Sequence, residues 1–399
     1  MTTVARPQAV TGRVAAEDIL PRMDYWLLGA ALLLLGFGLI MVSSASMAES
    51  DRMTGSPFFY LYRHLFAIGL GLAGAAILFH VPMQQWNRLG PVLLFIGMVM
   101  LLLVLIPGVG KTVNGATRWI PLGIFNLQGS EFMKLFVVLY VAGYLVRRQD
   151  EVTQSFWGFV KPMLLLVLAS ALILRQPDFG TTVVLFATAV GMLFLGGVVL
   201  YQFAILSGMA TLAGGLLIYL EPYRAQRMAT FLNPWDDPFN TDYQLSQALI
   251  AFGRGEVTGV GLGNGIQKQF YLPEAHTDFI MAVVGEEFGL IGTLGVILLF
   301  AFMTWRAFRI GARAELLGRR FSAYVAYGLG FWVGIQSFIN IGVNVGMLPT
   351  KGLTLPFMSY GSNSIIVACL VVSLLLRIDY EMRRLPSGKT QGGHRWSRV

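Results

Sequence analysis

The chain has 399 residues, 55% hydrophobic and only 13% charged, with a formal net charge of +8 and a mean hydropathy of +0.65. Such apolarity excludes a soluble globular domain and marks a polytopic membrane protein. The single cysteine, Cys369, excludes an internal disulfide and cysteine metal sites.

Residues 1–23 are polar and mixed in charge, and read as a disordered cytoplasmic tail. The first apolar run continues for a full membrane width, so it is a span and not a cleaved signal peptide. A ruler of roughly 20 apolar residues per crossing predicts an all-α protein with about ten spans. They cover approximately 25–46, 59–80, 90–107, 131–146, 158–174, 179–197, 200–219, 278–303, 321–345 and 362–376. The membrane domain is thus 24–376, and 377–399 is a basic tail.

Charge placement sets the orientation. Residues 306–320 hold five arginines and one glutamate, and 377–399 hold six Lys/Arg against two acids. Both belong on the cytoplasmic side, so the excess charge is a positive-inside signature and no nucleic-acid partner is expected. The one large loop, 221–277 between spans seven and eight, then falls outside, and a connection of that length in a compact protein is usually functional. Within it "NPWDDP" (233–238) reads as a turn. "YQLSQALIAFGRG" (243–255) reads as an interfacial amphipathic helix, with Leu245, Ala248, Leu249 and Phe252 at helical spacing and a glycine stop.

No P-loop or HExxH motif is present, and "GVGLGNG" (259–265) follows no strand of a βαβ unit. Chemistry therefore rests on carboxylates, arginines and lysines at the outer face. Asp278 stands where the polar loop enters the eighth span, and two roles fit it. A carboxylate there caps a helix N-terminus. Near the hydrocarbon boundary it also suits a general base, and the neighbouring Glu274 and His276, unnecessary for a cap, are candidates for substrate contact. Glu286 and Glu287 lie roughly 12 to 14 Å farther along the helix, where pairing with an Arg or Lys from a neighbouring span is the expected structural role.

"RQPDFGTT" (175–182) sets Arg175 and Asp178 in a tight external turn, as an ion pair stapling two spans or as a substrate contact. Arg118 beside Trp119 is an interface anchor or a clamp for a lipid pyrophosphate. "MLPTKGLTLPFMSYGSNS" (347–364) is broken by Pro and Gly at membrane depth, which requires protein or a wet cavity around it, so Lys351 and Ser359 are expected to line one. Together these groups suit an anionic, lipid-linked substrate.

The ordered motifs "GATRWI", "RQPDFGT", "GVGLGNG", "LPEAHTDFI", "GEEFG" and "PTKGLTLPFMSYG" resemble those of the SEDS proteins of bacteria (shape, elongation, division and sporulation) from about Asp24 to Arg384. "LPEAHTDFI" and the lysine of "PTKGLTLP" resemble the division branch most, while Ser362 and Asn363 stand near where the family commonly carries a second glycine. The resemblance implies a ten-span glycosyltransferase of the bacterial cytoplasmic membrane, enriched at the division septum with both termini cytoplasmic. It implies polymerisation of lipid II into β-1,4-linked glycan beside a class B penicillin-binding transpeptidase and other divisome membrane proteins, and it puts the family's essential loop acid on Asp278. No cofactor is required by this chemistry. A divalent cation would serve as an alternative charge stabiliser, though the sequence offers no dedicated metal site. Two other roles are compatible with the sequence: a lipid II flippase, using Glu286, Glu287 and the broken stretch near Lys351, and a non-catalytic scaffold for the transpeptidase.

Overall fold

The computed structural model describes residues 23–384, except 114, 124, 351 and parts of 199–242. Helix α1 (Tyr25–Thr54) starts at Asp24, whose carboxylate accepts the Leu27 N–H at 3.1 Å and pairs with Arg306. It is followed by α2 (Phe59–Phe79) and α3 (Met83–Val104). The external stretch before α4 is not simply a loop. It folds as a small antiparallel sheet in the order β1 (Lys111–Val113), β2 (Ala116–Pro121), β3 (Asn126–Leu127), an addition to the all-helical expectation.

Helices α4 (Gly129–Arg147), α5 (Gln149–Gln154), α6 (Phe156–Arg175) and α7 (Phe179–Leu195) follow. Pro162 sits inside α6, whose first turn is capped by the Ser155 hydroxyl accepting from Trp157 N–H. The predicted seventh span, 200–219, has many positions outside the described residues, and most of "NPWDDP" lies outside them too. Then come α8 (Tyr243–Gly255), α9 (Ile280–Leu316), α10 (Arg320–Asn344) and α11 (Ser362–Arg383).

Among the described residues, six helices are long and apolar enough to cross a membrane: α1, α2, α3, α4, α6 and α9, with α7 slightly shorter. Helices α10 and α11 are just as long but less apolar, because they turn polar side chains such as Gln336, Asn340, Asn344 and Asn363 into the protein interior. A membrane helix facing protein on several sides has no need to be apolar all round. α10 packs on α9, α7 and α4, while α11 packs along α2. The latter contact is close because Gly71 of α2 faces α11, where a Cβ would come within 3.2 Å of the Ile366 Cα.

α9 is two helices in one. Gly289 has φ 62° and ψ −155°, which breaks the ladder, and a positive φ of this kind favours glycine. The backbone groups released by the break find partners in the external loop. The carbonyls of Glu286 and Glu287 accept from Val260 and Gly261, both at 3.0 Å, and Leu290 and Ile291 donate to Glu256 and Val257. The sequence reads 278–303 as a continuous span; here residues 256–261 are laid across its break, and these four backbone bonds meet freed groups on both sides of it.

Candidate active site

A cavity of about 800 Å³ opens at the end of the bundle where α4, α7, α9 and α11 begin, a size that suits a ligand of several rings. Asp278, Glu274 and Thr277 form one wall from the turn preceding α9. The turn is closed by the Glu274 carbonyl, which accepts from Thr277 and Phe279 N–H at 3.2 Å each, and by Thr277 Oγ1 donating to Glu274 Oε2 at 2.6 Å.

Neutral side chains hold Asp278 in place. Asn340 and Asn344, one turn apart on α10, both donate to the Asp278 carbonyl at 2.9 Å. Asn340 also donates to the Leu353 carbonyl, and Asn344 Oδ1 accepts from Ala282 N–H at 3.0 Å. The first turn of α9 is therefore capped from α10, a duty the sequence offered to Asp278. Opposite the carboxylate is Gly352, where a Cβ would stand 3.1 Å from Asp278 Oδ2. The missing side chain keeps room at that oxygen.

The positive wall comes from Arg118 on β2 and Arg63 in the second turn of α2. Arg118 donates through Nε to the Gln176 carbonyl at 3.1 Å and through Nη2 to the Pro177 carbonyl. That ties the sheet to the α6–α7 turn and leaves three of its five N–H groups. Asp178, which also lines the cavity, is the cap of α7: Oδ1 accepts from Thr181 N–H at 3.2 Å and Oδ2 from Thr181 Oγ1 at 2.9 Å. Its carboxylate is engaged by Thr181 and not by Arg175, which is exposed at the end of α6 and does not line the cavity. The floor carries a buried ion pair, Lys134 with Glu131 at 2.9 Å, with Lys134 also donating to Gln336 Oε1 at 2.8 Å. Gln336 in turn donates to the Thr354 carbonyl at 2.9 Å, so α4 and α10 jointly support the segment before α11.

Other predicted residues lie apart. His276 is buried behind the wall, its ring 4.8 Å from Tyr60 and 5.5 Å from Tyr360. Its Nδ1 lies 3.3 Å from Glu49 Oε2, close enough for attraction but not aligned as a hydrogen bond. Burial pushes its pKa below the ordinary 6.5, opposed by the charges of Glu49 and Glu274. Ser359 is buried with its hydroxyl accepting from Leu355 N–H at 2.8 Å, a turn contact away from the cavity. Lys351 lies outside the described residues. Glu286 and Glu287 are fully buried against the loop: Glu286 pairs with Arg254 at 2.6 Å and accepts from Ile266 N–H at 2.8 Å, while Glu287 pairs with Lys268 at 2.5 Å and accepts from Ser44. Their charged partners are loop residues, and the neighbouring span α1 contributes only the neutral Ser44. Among the described residues no group of three or more His, Cys, Asp or Glu is placed to hold a metal ion.

Sequence reasoning missed Arg63, Asn340, Asn344 and the Glu131–Lys134 pair. The asparagines carried one readable signal, their spacing of four in an apolar helix, which puts two amides on one face.

A family model described as cell cycle protein, spanning FtsW, RodA and SpoVE, matches residues 25–384. This chain is a SEDS protein. It is 58% identical over 380 residues to a probable peptidoglycan glycosyltransferase FtsW of Allochromatium vinosum, covering 94% of this chain and 95% of that one. It is 53% identical to the protein of the same description from Nitrosococcus halophilus, over 93% and 96% of the two chains. Solved SEDS-like structures share the fold. A chain of a peptidoglycan synthase complex that coordinates polymerization and crosslinking superposes with a TM-score of 0.73 at 26% identity, over 90% of this chain and 98% of that one. The Thermus thermophilus rod shape determining protein RodA gives 0.66 at 26% identity, over 90% and 96%. Within the SEDS family the chain is thus most like the FtsW branch.

Proposed function

We propose that this SEDS protein is a peptidoglycan glycosyltransferase that polymerises lipid II, with Asp278 as the general base. The observation that carries the reading is one cavity lined by the Asp278 carboxylate together with the guanidiniums of Arg63 and Arg118. Asp278 takes the proton of the acceptor sugar 4-hydroxyl, and that oxygen attacks the anomeric carbon of the donor. The new C1–O4 bond forms as the bond from C1 to the pyrophosphate oxygen breaks. The leaving undecaprenyl pyrophosphate is already a stabilised anion, so it needs positive charge more than a proton. Arg63 and the unengaged N–H groups of Arg118 supply it, and a guanidinium fork matches phosphate oxygens. One base and one anion clamp suit an inverting displacement with no covalent enzyme intermediate.

Glu274, beside Asp278, and Trp119, beside Arg118, are positioned to contact sugar. The termini are cytoplasmic, the cavity faces outward, and the partner is a class B transpeptidase of the division machinery. Septal enrichment follows from that partnership. A flippase role draws no support from Glu286 and Glu287, whose charges are met by Arg254 and Lys268.

The test is to purify the full chain with its transpeptidase in detergent, supply labelled lipid II, and resolve the glycan by length. Wild type is expected to make long strands with no membrane to cross, and Asp278→Asn and Asp278→Ala are expected to make none. Equal yields from all three would remove Asp278 from the chemistry; no polymer from any would favour a transport or scaffold role.

A further inference from the structure

A second cavity, of about 630 Å³, lies at the other end of the bundle. α4 runs from the first cavity, at Glu131, to the second, at Val146, and α11 runs from Ser362 to Arg384 in the same sense. The two cavities are therefore separated by the length of these helices, roughly 22 to 33 Å at 1.5 Å per residue. No step of the reaction above uses the second one.

Its lining carries Arg319, Arg320, Arg377 and Arg384 against one carboxylate, Glu381, a formal excess of three positive charges. Glu381 is already spent. It accepts from Arg377 Nε at 2.9 Å and from Met83 N–H, at the start of α3, also at 2.9 Å. The protein thus supplies an internal anion where α3 begins. Where α10 begins it does not: Arg319 stands at the cap position with no side-chain cap bond, and the first turn of this 25-residue helix opens into the cavity beside Arg319 and Arg320. Arg320 also donates to Gln149 Oε1, and Arg384 rests 4.5 Å over the Tyr380 ring. A concave cluster of guanidiniums at an uncapped helix start is a seat for a phosphate.

The surroundings name the source of that phosphate. Gln84 and Asn87 of α3 line the cavity, and the same helical stripe continues into the bilayer-facing surface through Pro91 to Phe95, which is 69% exposed. Positive charge at a helix end with an apolar track beside it matches a headgroup and its acyl chain. We propose that this cavity binds the phosphate headgroup of an anionic phospholipid, on the face opposite the Asp278 cavity.

The experiment uses full-length, delipidated protein in detergent. Dioleoyl phosphatidylglycerol and dioleoyl phosphatidylcholine are titrated in parallel, with retention read by native mass spectrometry and stabilisation by thermal shift. Phosphatidylglycerol is expected to be retained preferentially and to raise Tm. Arg319→Ala and Arg384→Ala should each weaken its binding about fivefold, and the pair more than tenfold, with phosphatidylcholine unaffected. Arg88→Ala, an exposed arginine outside the cavity, should change neither. Equal retention of the two lipids, or an unaltered double variant, or equal loss on Arg88→Ala overturns the proposal. If Arg319→Ala lowers the lipid-free Tm, Arg384→Ala alone decides. Inorganic phosphate and ATP are added as soluble competitors, and if either binds as tightly and displaces the lipid, the site takes a soluble phosphate and the lipid assignment falls.

Discussion

Two acidic places lie within ten residues of each other in this chain and are built on opposite principles. Asp278 faces a cavity, and the groups that fix it, Asn340 and Asn344, are neutral and grip its backbone carbonyl. Glu286 and Glu287 are fully buried, and what holds them is charge and backbone N–H donated by the loop. Asn340 and Asn344 fix the backbone of Asp278 without occupying its carboxylate oxygens. Immobilising a carboxylate through its oxygens commits it to structure, because a buried charge stripped of its partner is costly.

The largest expected effects separate the two places. Asp278→Asn should lower glycan polymerisation by about 10² to 10⁴-fold, the range for loss of a general base, while moving Tm less than any change at Glu287. Glu287→Ala should cost roughly 3–5 kcal/mol of stability by leaving Lys268 buried and unpaired, and Glu287→Ala with Lys268→Met should recover part of it. Thermal unfolding of the detergent-solubilised protein reads both. A Tm for Glu287→Ala equal to wild type would dissolve the distinction.

Asn344→Ala lies between the extremes. It removes the cap on Ala282 N–H and one of the two amide bonds to the Asp278 carbonyl, so a stability loss of about 1–3 kcal/mol is expected. A fall in polymerisation by up to roughly 10²-fold should accompany it, because a base displaced by about 1 Å loses its alignment. A stability loss with turnover intact in the surviving protein would show that the clamp is purely structural.

The smallest expected effect is pH dependence at His276. Its folded pKa is held below the ordinary 6.5 by burial, so on acidification the unfolded chain takes up a proton before the folded one does. Stability should therefore fall as pH drops through about 6.5, and level off once the folded ring also protonates. His276→Gln should flatten the decline in Tm between about pH 7.5 and 5.5. An unchanged slope would move its origin away from His276.

Helices whose outer faces meet lipid, such as α2 and α3, were legible from hydropathy, because nothing but apolar side chains satisfies that face. α10 and α11 were legible mainly by length, since their buried amides dilute the apolar signal. Asp278 stood out as an acid at a loop–helix junction, the kind of residue that composition makes rare here. Asn340 and Asn344 did not, because an uncharged side chain in an apolar run raises no alarm even when it holds the site together. Arg63 was absorbed into the polar end of the predicted second span. The break at Gly289 was hidden for a related reason: glycine is common in membrane helices, and "GEEFG" gives no hint that a distant segment is laid across it. Similarly, the depth of Glu286 and Glu287 along the helix points to partners in other spans, whereas Arg254 and Lys268 come from the loop.

The bridge over Gly289 makes the external loop a splint. Residues 256–261 join the two halves of α9 in the way a plate joins a fractured bone, pinned on one side by Arg254 and on the other by Lys268. A splint has a fixed length. Inserting or deleting even one residue between Val257 and Val260 would shift its backbone donors past the carbonyls they serve, and would bend the short helical arm that begins two residues after Asp278.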